Sequence, residues 1–305
     1  MRYLFESGHG YTIASLCSSI GYTKQAYYKH DNSVAQDAIN SDLILKEIYS
    51  IRADMPNLSG EKIYKMLQKL LPDEIRIGRD ATYDLMRSHG LIRPMVHRRI
   101  RTTITVYRLE YTNLIHGMLI DKPNQVWVAD ITYIRTSSGG FIYLALITDY
   151  YSRMIVGWNL SSSLALEGAL EALKMALETI PENVCPIHHT DRGCQYYSKA
   201  YTDLLKSRKM PISMYTDGDP RNNAIAERIN GTIKNEMLSG IEIEEVEAGI
   251  SLMEKAIGLY NQVRPHLSLD FHTPQEAYLM EGKIERRWKT RYHKKINNEN
   301  LENSL

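Results

Sequence analysis

The order of strand-like and helix-like patterns between residues 125 and 263 constrains the fold of this chain more than any other feature. Residues 126–134 alternate and are rich in β-branched side chains, which predicts a strand. Residues 141–148 and 154–160 have strand-like patterns too, and a glycine-bearing turn separates the first segment from the second. These three segments predict an antiparallel meander.

Helices and strands alternate after the meander. Leucine spacing predicts a helix over 165–179, and a fourth strand over 184–189 should then run parallel to the first, since a helical crossover joins them. The remaining patterns predict a helix over 199–207, a short strand over 211–214 and helices over 224–238 and 245–263. This order predicts an α/β fold with a ribonuclease H-like core, a five-stranded mixed sheet flanked by helices, preceded by an all-α helix-turn-helix region.

The first forty residues carry the outline of a helix-turn-helix. Apolar residues at helical spacing predict a helix over 11–19, and Gly21 interrupts the pattern. Thr23 is a suitable N-cap for a second helix through Tyr28. Helix, glycine-bearing turn and helix is the arrangement with which many small modules read DNA.

A second helical module is predicted next along the chain. Amphipathic patterns mark helices over 43–51, 63–70 and 80–88. The exposed face of the third helix would offer Arg79 and Arg87 to DNA. Many helical hairpins bind nothing, so this pattern alone leaves a purely structural alternative open.

Composition limits the classes of protein to which the chain can belong. Its 43% hydrophobic and 24% charged residues are typical of a globular protein. No run approaches the roughly 18 apolar residues that a membrane helix needs, so no membrane partner is expected. The three cysteines are not spaced as paired metal ligands and no secretory signal pattern is present, which favours the bacterial cytoplasm, with association to the nucleoid.

The net charge of +1 conceals two clusters of cations. One lies between residues 76 and 108, and the other between 283 and 295. Clustered cations favour nucleic acid because each neutralised phosphate releases counterions. A solvated basic surface is the alternative interpretation of either cluster.

Three carboxylates stand at positions where the predicted fold would bring them together. Asp130 lies inside the first strand, where a lone buried carboxylate would be costly, and Asp191 follows the fourth strand. Glu227 lies near the start of a helix that can return across the sheet edge. We therefore expect Asp130, Asp191 and Glu227 to be both the catalytic residues and the metal ligands. Such oxygen-rich ligands suit Mg²⁺ or Mn²⁺, and a pair of ions about 3.5–4 Å apart serves phosphoryl transfer.

Four ordered motifs carry a family resemblance. Between Asp191 and Glu227 lie residues 192–226, thirty-five in number, which matches the D-D-35-E pattern of retroviral-like integrases. The chain is identified as a member of the insertion sequence three family of transposases by the motifs at residues 127–133 (WVADITY), 189–196 (HTDRGCQY), 223–227 (NAIAE) and 260–266 (YNQVRPH). Thr190 and Cys194 replace serines of the usual family motif, and neither is needed as a metal ligand.

The resemblance implies cleavage of DNA at the ends of an insertion sequence and strand transfer into target DNA. The implied partners are double-stranded terminal inverted repeats and target DNA, further copies of the chain on that DNA, and a protein from an upstream reading frame. The expected segments are a helix-turn-helix-like 1–40, a second helical DNA-binding module 41–100, a basic linker 101–122, an integrase catalytic core 123–281 and a basic C-terminal tail 282–305.

Several polar residues near the carboxylates are candidate DNA contacts. Lys234 is nearly two helical turns beyond Glu227 and should share its face, as should Asn230. Arg192 could neutralise a target phosphate or pair with a carboxylate. Arg264 could contact DNA or hold the segment after the last long helix in place.

Two other functions compete with transposition. One is a non-catalytic helix-turn-helix regulator with a decayed integrase core, against which the intact carboxylates argue. The other is a tyrosine recombinase, considered because the chain has 21 tyrosines; that chemistry leaves protein covalently attached to DNA.

Overall fold

The computed structural model describes residue 10 and residues 12–92, 111–215 and 224–285, apart from the side chains of 31–36 and 38. The chain divides into two compact units, Met1–Ala53 with Ser59–Arg93, and Asp54–Leu58 with Pro94–Leu305. The first part of the predicted basic linker, 101–110, and most of the predicted basic tail, 286–305, lie outside the described residues, as does the start of the helix-turn-helix segment. No helix within the described ranges is long and apolar enough to cross a membrane.

The first unit is helical, as predicted. Its helices are α1 (Ile13–Ser19), α2 (Lys24–Asp54), α3 (Gly60–Leu70) and α4 (Arg79–Ser88). The turn between α1 and α2 contains Gly21 in the left-handed region, with φ of 74°. Thr23 caps α2 as expected, accepting a hydrogen bond from the amide of Ala26 at 3.1 Å.

The predicted end of the second helix near Tyr28 is wrong. The helix instead continues without a break to Asp54 and includes the segment that we assigned to a separate helix over 43–51. The physical reason is that no glycine or proline interrupts residues 24–54, so nothing in the backbone chemistry ends the helix there. The expected boundary near residue 40 therefore lies inside α2.

The second unit is built on a five-stranded sheet. The strands are β1 (Val126–Arg135), β2 (Phe141–Asp149), β3 (Ile155–Ser161), β4 (Ile187–Thr190) and β5 (Ile212–Met214). Their order in the sheet is β3-β2-β1-β4-β5. The pairs β1–β2 and β2–β3 are antiparallel, and β1–β4 and β4–β5 are parallel. The predicted meander and the predicted parallel fourth strand are both confirmed.

Helices flank this sheet. They are α5 (Leu166–Glu178), α6 (Lys199–Ser207), α7 (Ala224–Thr232), α8 (Val246–Gln262) and α9 (Pro274–Tyr278), and a widened π-type turn over Ile233–Met237 follows α7. The fold is α/β with a ribonuclease H-like core, preceded by a helical region, as the sequence predicts. Thr273 and Glu276 form a capping box at the start of α9.

The sheet and α5 pack at short range. Trp127 is fully buried in β1, within the apolar core that also contains Ala172 and Leu173 of α5. Gly157 of β3 allows the close approach, because a Cβ atom at this position would lie 2.2 Å from the carbonyl oxygen of Ala172. This closely packed sheet carries the polar residues of the candidate active site.

Candidate active site

The pairing of β1 with β4 brings together two of the three predicted carboxylates. Ala129 pairs with Thr190 at the end of the parallel ladder, so Asp130 and Asp191 are the next residues on the two strands. Neighbouring strands lie about 4.8 Å apart. The two carboxylates are therefore brought side by side although sixty residues of chain separate them.

Asp130 is held by two donors. The side-chain amide of Asn230 donates to Oδ2 at 2.8 Å, and the backbone amide of Ile131 donates to Oδ1 at 3.0 Å. The pKa of Asp130 is nevertheless raised to about 8, first by burial and then by the neighbouring charges of Asp191 and Glu227. The two hydrogen bonds act in the opposite direction, because they favour the ionised form.

Asp191 lies in the turn that follows β4. The backbone amide of Gly193 donates to its Oδ1 at 3.0 Å, which fixes the carboxylate relative to its own loop. Burial raises the pKa of Asp191, and the hydrogen bond from Gly193 partly offsets that rise. A Cβ atom at residue 193 would lie 3.0 Å from the same oxygen, so glycine leaves the carboxylate the space that it occupies.

Glu227 reaches the same region from α7. This helix packs on β1 through Ala226, which contacts the buried face formed by Val126 and Val128. Glu227 is exposed in the first turn of the helix, and its charge acts on Asp130. In the described ranges no three His, Cys, Asp or Glu side chains are close enough to hold one metal ion. The three carboxylates thus share an electrostatic neighbourhood, and their role as one ligand set stays a prediction.

Lys234 lies beside the carboxylates, within the widened turn that follows α7. Its Nζ donates to the hydroxyl of Thr132 at 3.4 Å, and Thr132 is two residues along β1 from Asp130. Burial lowers the pKa of Lys234, while the charge of Asp130 acts to raise it. Lys234 therefore comes close to the carboxylates through a widened turn, and not through the two regular helical turns that the sequence predicts.

Two of the arginines predicted to contact DNA are buried. Arg192 is 7% exposed, and its Nε and Nη2 atoms have no hydrogen-bond partner among the described residues. Arg264 is 3% exposed and makes two hydrogen bonds to Glu236, from Nε at 2.8 Å and from Nη2 at 2.9 Å. Its Nη1 also lies 2.7 Å from Nε2 of His266. These contacts use the guanidinium of Arg264 within the protein, which favours the structural alternative over a contact with DNA.

Arg79 and Arg87 lie on the exposed surface of α4 in the first unit. Arg79 pairs with Asp80 at 3.0 Å, and Arg87 pairs with Asp84 at 2.6 Å. Exposed pairs of this kind contribute little to stability and are readily exchanged for another anion. Both arginines are accessible, but each already has a carboxylate neighbour.

Sequence reasoning missed Tyr215, the residue after β5. Ser213 of β5 pairs with His189 of β4, and the ring of Tyr215 packs edge-on against that histidine at 4.5 Å between centroids. Tyr215 is 8% exposed. The signal was present in the predicted parallel strands over 184–189 and 211–214, because the residues that end neighbouring parallel strands lie at the same sheet edge.

The two histidines of β4, His188 and His189, point to opposite faces of the sheet, as alternation along a strand requires. Nε2 of His188 lies 2.9 Å from the hydroxyl of Tyr201, and Nδ1 of His189 lies 2.7 Å from the hydroxyl of Ser213. Each ring is thus used in packing β4 against its surroundings.

The sheet order, with carboxylates on β1, after β4 and on α7, defines the chain as an integrase-type core. Residues 120–220 match an integrase core domain family, and residues 208–274 match a second family with that description. The transposase for insertion sequence element IS629 of Shigella sonnei is 33% identical over 75% of this chain and 78% of its own length. The chain belongs to the insertion sequence three family of transposases.

Other relatives agree with this membership. The 31 kDa protein of insertion element IS600 of Shigella sonnei is 31% identical over 85% of this chain and 96% of its own length. Transposase InsF for insertion sequence IS3A of Escherichia coli is 42% identical over 39% of this chain and 41% of its own length. Among solved structures, the catalytic core domain of HTLV-2 integrase in complex with magnesium is 19% identical, with a TM-score of 0.42 over 52% of this chain and 97% of that one.

Proposed function

We propose that this protein cleaves DNA at the ends of an insertion sequence and transfers the cut strands into target DNA, using divalent metal ions held by Asp130, Asp191 and Glu227. The observation that carries the proposal is the placement of Asp130 and Asp191 side by side on the parallel strands β1 and β4, with Glu227 acting on Asp130 from α7. A transposase needs this grouping because its chemistry is displacement at phosphorus, where charge must be neutralised on entering and leaving oxygens.

The chemistry of the donor atoms supports binding of a divalent cation. Burial and neighbouring carboxylates raise the pKa of Asp130 to about 8. The ionised form of this carboxylate is therefore unfavourable in the protein alone. A bound cation would offset that cost. Oδ1 of Asn230 adds a buried oxygen with no partner among the described residues. Carboxylate and amide oxygens are the donors that Mg²⁺ and Mn²⁺ prefer.

The chain's own groups have separate roles in this proposal. Two ions bound by the three carboxylates would supply activation of the attacking oxygen and stabilisation of the leaving one. Asn230 orients Asp130 through its hydrogen bond to Oδ2. Lys234, beside Thr132, supplies a positive charge for a DNA phosphate close to the carboxylates.

Further contacts to DNA are proposed on both units. Arg192 offers a buried guanidinium next to Asp191, and Asn230 is a candidate contact in addition to its role toward Asp130. Arg79 and Arg87 on α4 would bind backbone phosphates by exchanging their aspartate partners for them. Arg264 is left out, because Glu236 and His266 occupy its guanidinium.

The proposed partners follow from the reaction. Pairing two element ends requires at least two protomers on double-stranded terminal repeats and target DNA. A protein from an upstream reading frame is proposed as a further partner, and the bacterial cytoplasm with its nucleoid as the place of action. A non-catalytic regulator would bind DNA tightly and give no metal-dependent cleavage.

Nicking of terminal-repeat DNA tests the proposal. We expect nicking that requires Mg²⁺ or Mn²⁺, that is abolished by Asp191→Asn, and that leaves no protein attached to denatured DNA. Asp203→Asn is the matched control, because this exposed aspartate on α6 forms a surface ion pair with Lys199. Equal nicking by the wild-type protein and Asp191→Asn would remove the assigned role.

A further inference from the structure

Tyr215 continues a row of side chains that already contains two of the three carboxylates. Val128, His189 and Ser213 occupy matched positions on β1, β4 and β5. Side chains two residues apart share a face of a sheet, and Asp130 follows Val128 by two residues on β1. Asp191 and Tyr215 stand at the corresponding positions directly after β4 and β5, so the same register predicts that they continue this row. α7 covers this face of β1, since Ala226 packs on Val126 and Val128.

The hydroxyl of Tyr215 is buried and has no hydrogen-bond partner among the described residues. The residue is 8% exposed, and its ring is held edge-on against His189. Buried phenol groups usually find a partner, because a lost hydrogen bond to water is costly. Tyr278 in the same unit shows the usual case, donating its hydroxyl to Oδ1 of Asn124 at 3.0 Å. An unpartnered hydroxyl beside Asp191 is therefore a feature that a ligand could use.

Charge decides what this hydroxyl can do. Burial raises the pKa of Tyr215, and the charges of Asp130, Asp191 and Glu227 raise it further. The group consequently keeps its proton at neutral pH and is a hydrogen-bond donor rather than a nucleophile. The carboxylates are near enough to act on it, yet no hydrogen bond to them is present.

We propose that the Tyr215 hydroxyl donates a hydrogen bond to a non-bridging oxygen of the scissile phosphate, and so acts as a further catalytic residue. This inference rests on the proposed function. The acceptor must be an oxygen atom that enters the space between the carboxylates when the substrate binds. The phosphodiester under attack supplies such an oxygen, because it is the anionic group that the three acids and their metal ions would surround. A donor aimed at an oxygen that gains charge in the transition state accelerates the reaction more than it tightens binding.

The variant Tyr215→Phe separates this role from packing, since it removes one oxygen and keeps the ring against His189. We expect the single-turnover rate of nicking to fall about tenfold to a hundredfold, the range that loss of one hydrogen bond to a charged group implies. DNA affinity should change less than twofold. The unfolding temperature of the metal-free protein should stay the same or rise, because the variant removes a buried hydroxyl that has no hydrogen-bond partner among the described residues.

Tyr278→Phe is the matched control. It removes a hydroxyl that has a protein partner, so it should lower the unfolding temperature and leave the nicking rate unchanged. A Tyr215→Phe protein that nicks at the wild-type rate would overturn the inference. So would a fall of several degrees in its unfolding temperature, since the hydroxyl would then have a partner within the protein.

Phosphorothioate substrates identify the oxygen that the tyrosine contacts. With sulfur at the contacted position, wild-type nicking should slow by about the factor that Tyr215→Phe causes, and the variant should show no further loss. Equal slowing of both proteins by both stereoisomers contradicts the contact, and would instead fit a water molecule as acceptor. A covalent protein–DNA adduct would overturn it as well.

Failure of the proposed function has a different signature. In that case the wild-type protein shows no metal-dependent nicking of terminal-repeat DNA, whatever residue stands at position 215. The Tyr215 inference fails alone when wild-type nicking is present and Tyr215→Phe does not alter it.

Discussion

The side-chain amide of Asn230 donates a 2.8 Å hydrogen bond to Oδ2 of Asp130, and so joins α7 to the middle of β1. The other oxygen of Asp130 accepts from the backbone amide of Ile131. The carboxylate is therefore fixed in orientation from both sides before any ligand is present. Groups that orient a metal ligand in this way are worth about 10–100-fold in affinity or activity.

Replacement of Asn230 tests that relationship. We expect Asn230→Ala to lower both Mn²⁺ affinity and nicking rate about 10–100-fold, because Asp130 loses its orienting donor. Metal titration followed by single-turnover nicking measures both quantities. Asn235→Ala, at an exposed position in the turn after α7, is the control and should change neither. Unaltered metal affinity in Asn230→Ala would mean that Asp130 needs no external orientation.

Lys234 should affect DNA binding more through its charge than through its shape. Lys234→Met is expected to weaken DNA binding about equally for all sequences and to reduce the dependence of log affinity on log salt by about 1. Affinity measured over a series of salt concentrations gives that slope. Lys199→Met on α6 serves as the control, and an unchanged slope in Lys234→Met would show that no phosphate is contacted there.

His188 should make the folded protein sensitive to acid. Burial lowers its pKa to about 3, whereas a histidine in the unfolded chain titrates near pH 6.5. The unfolded state therefore binds more protons in this window, and the free energy of unfolding falls as the pH falls from about 6.5 toward 3. The difference between the folded and unfolded pKa values of His188 lowers the free energy of unfolding by about 2 kcal/mol at pH 5 relative to pH 7.

Urea unfolding at the two pH values measures that cost. His188→Gln removes the titrating ring, so its free energy of unfolding should change less between pH 7 and pH 5 than that of the wild-type protein. His116→Gln removes an exposed imidazole and should keep the wild-type difference. Identical pH dependence in His188→Gln and wild-type protein would contradict the assignment.

Gly157 should be intolerant of a larger side chain. In Gly157→Ala the new Cβ would lie 2.2 Å from the carbonyl oxygen of Ala172, which is backbone and cannot turn aside. We expect a loss of about 1–3 kcal/mol or more in unfolding free energy. Gly258→Ala on α8, where nothing lies within 4 Å, should instead stabilise by about 0.5–1 kcal/mol. Similar stability of the two variants would exclude the close packing of α5 on β3.

The features that could be predicted from the sequence are those that depend on local residue patterns and on the direction of neighbouring strands. Alternation around Asp130 identified β1, and the crossover rule placed β4 parallel to it, so the neighbourhood of Asp130 and Asp191 could be anticipated. The capping box at Thr273 was equally local, because its two side chains bind the backbone three residues apart. These features need no knowledge of packing.

Features that depend on packing could not be predicted in this way. The widened turn after Thr232 changes which face Lys234 occupies, and periodicity assumes a regular helix. Arg264 lies 28 positions beyond Glu236 in the sequence, and no spacing rule reveals that pairing. Tyr215 needed the register of β5 against β4 before its place beside Asp191 became visible.

Glu227 is the carboxylate that most directly decides whether the centre has three carboxylates, because it alone of the three is exposed and lies on a helix. The most direct test is Mn²⁺-dependent nicking of terminal-repeat DNA by Glu227→Gln, with Glu247→Gln on α8 as the exposed control. We predict that Glu227→Gln loses nicking by roughly a hundredfold or more, beyond the loss typical of an orienting residue, and that Glu247→Gln keeps it. Nicking by Glu227→Gln at the wild-type rate would contradict a three-carboxylate centre.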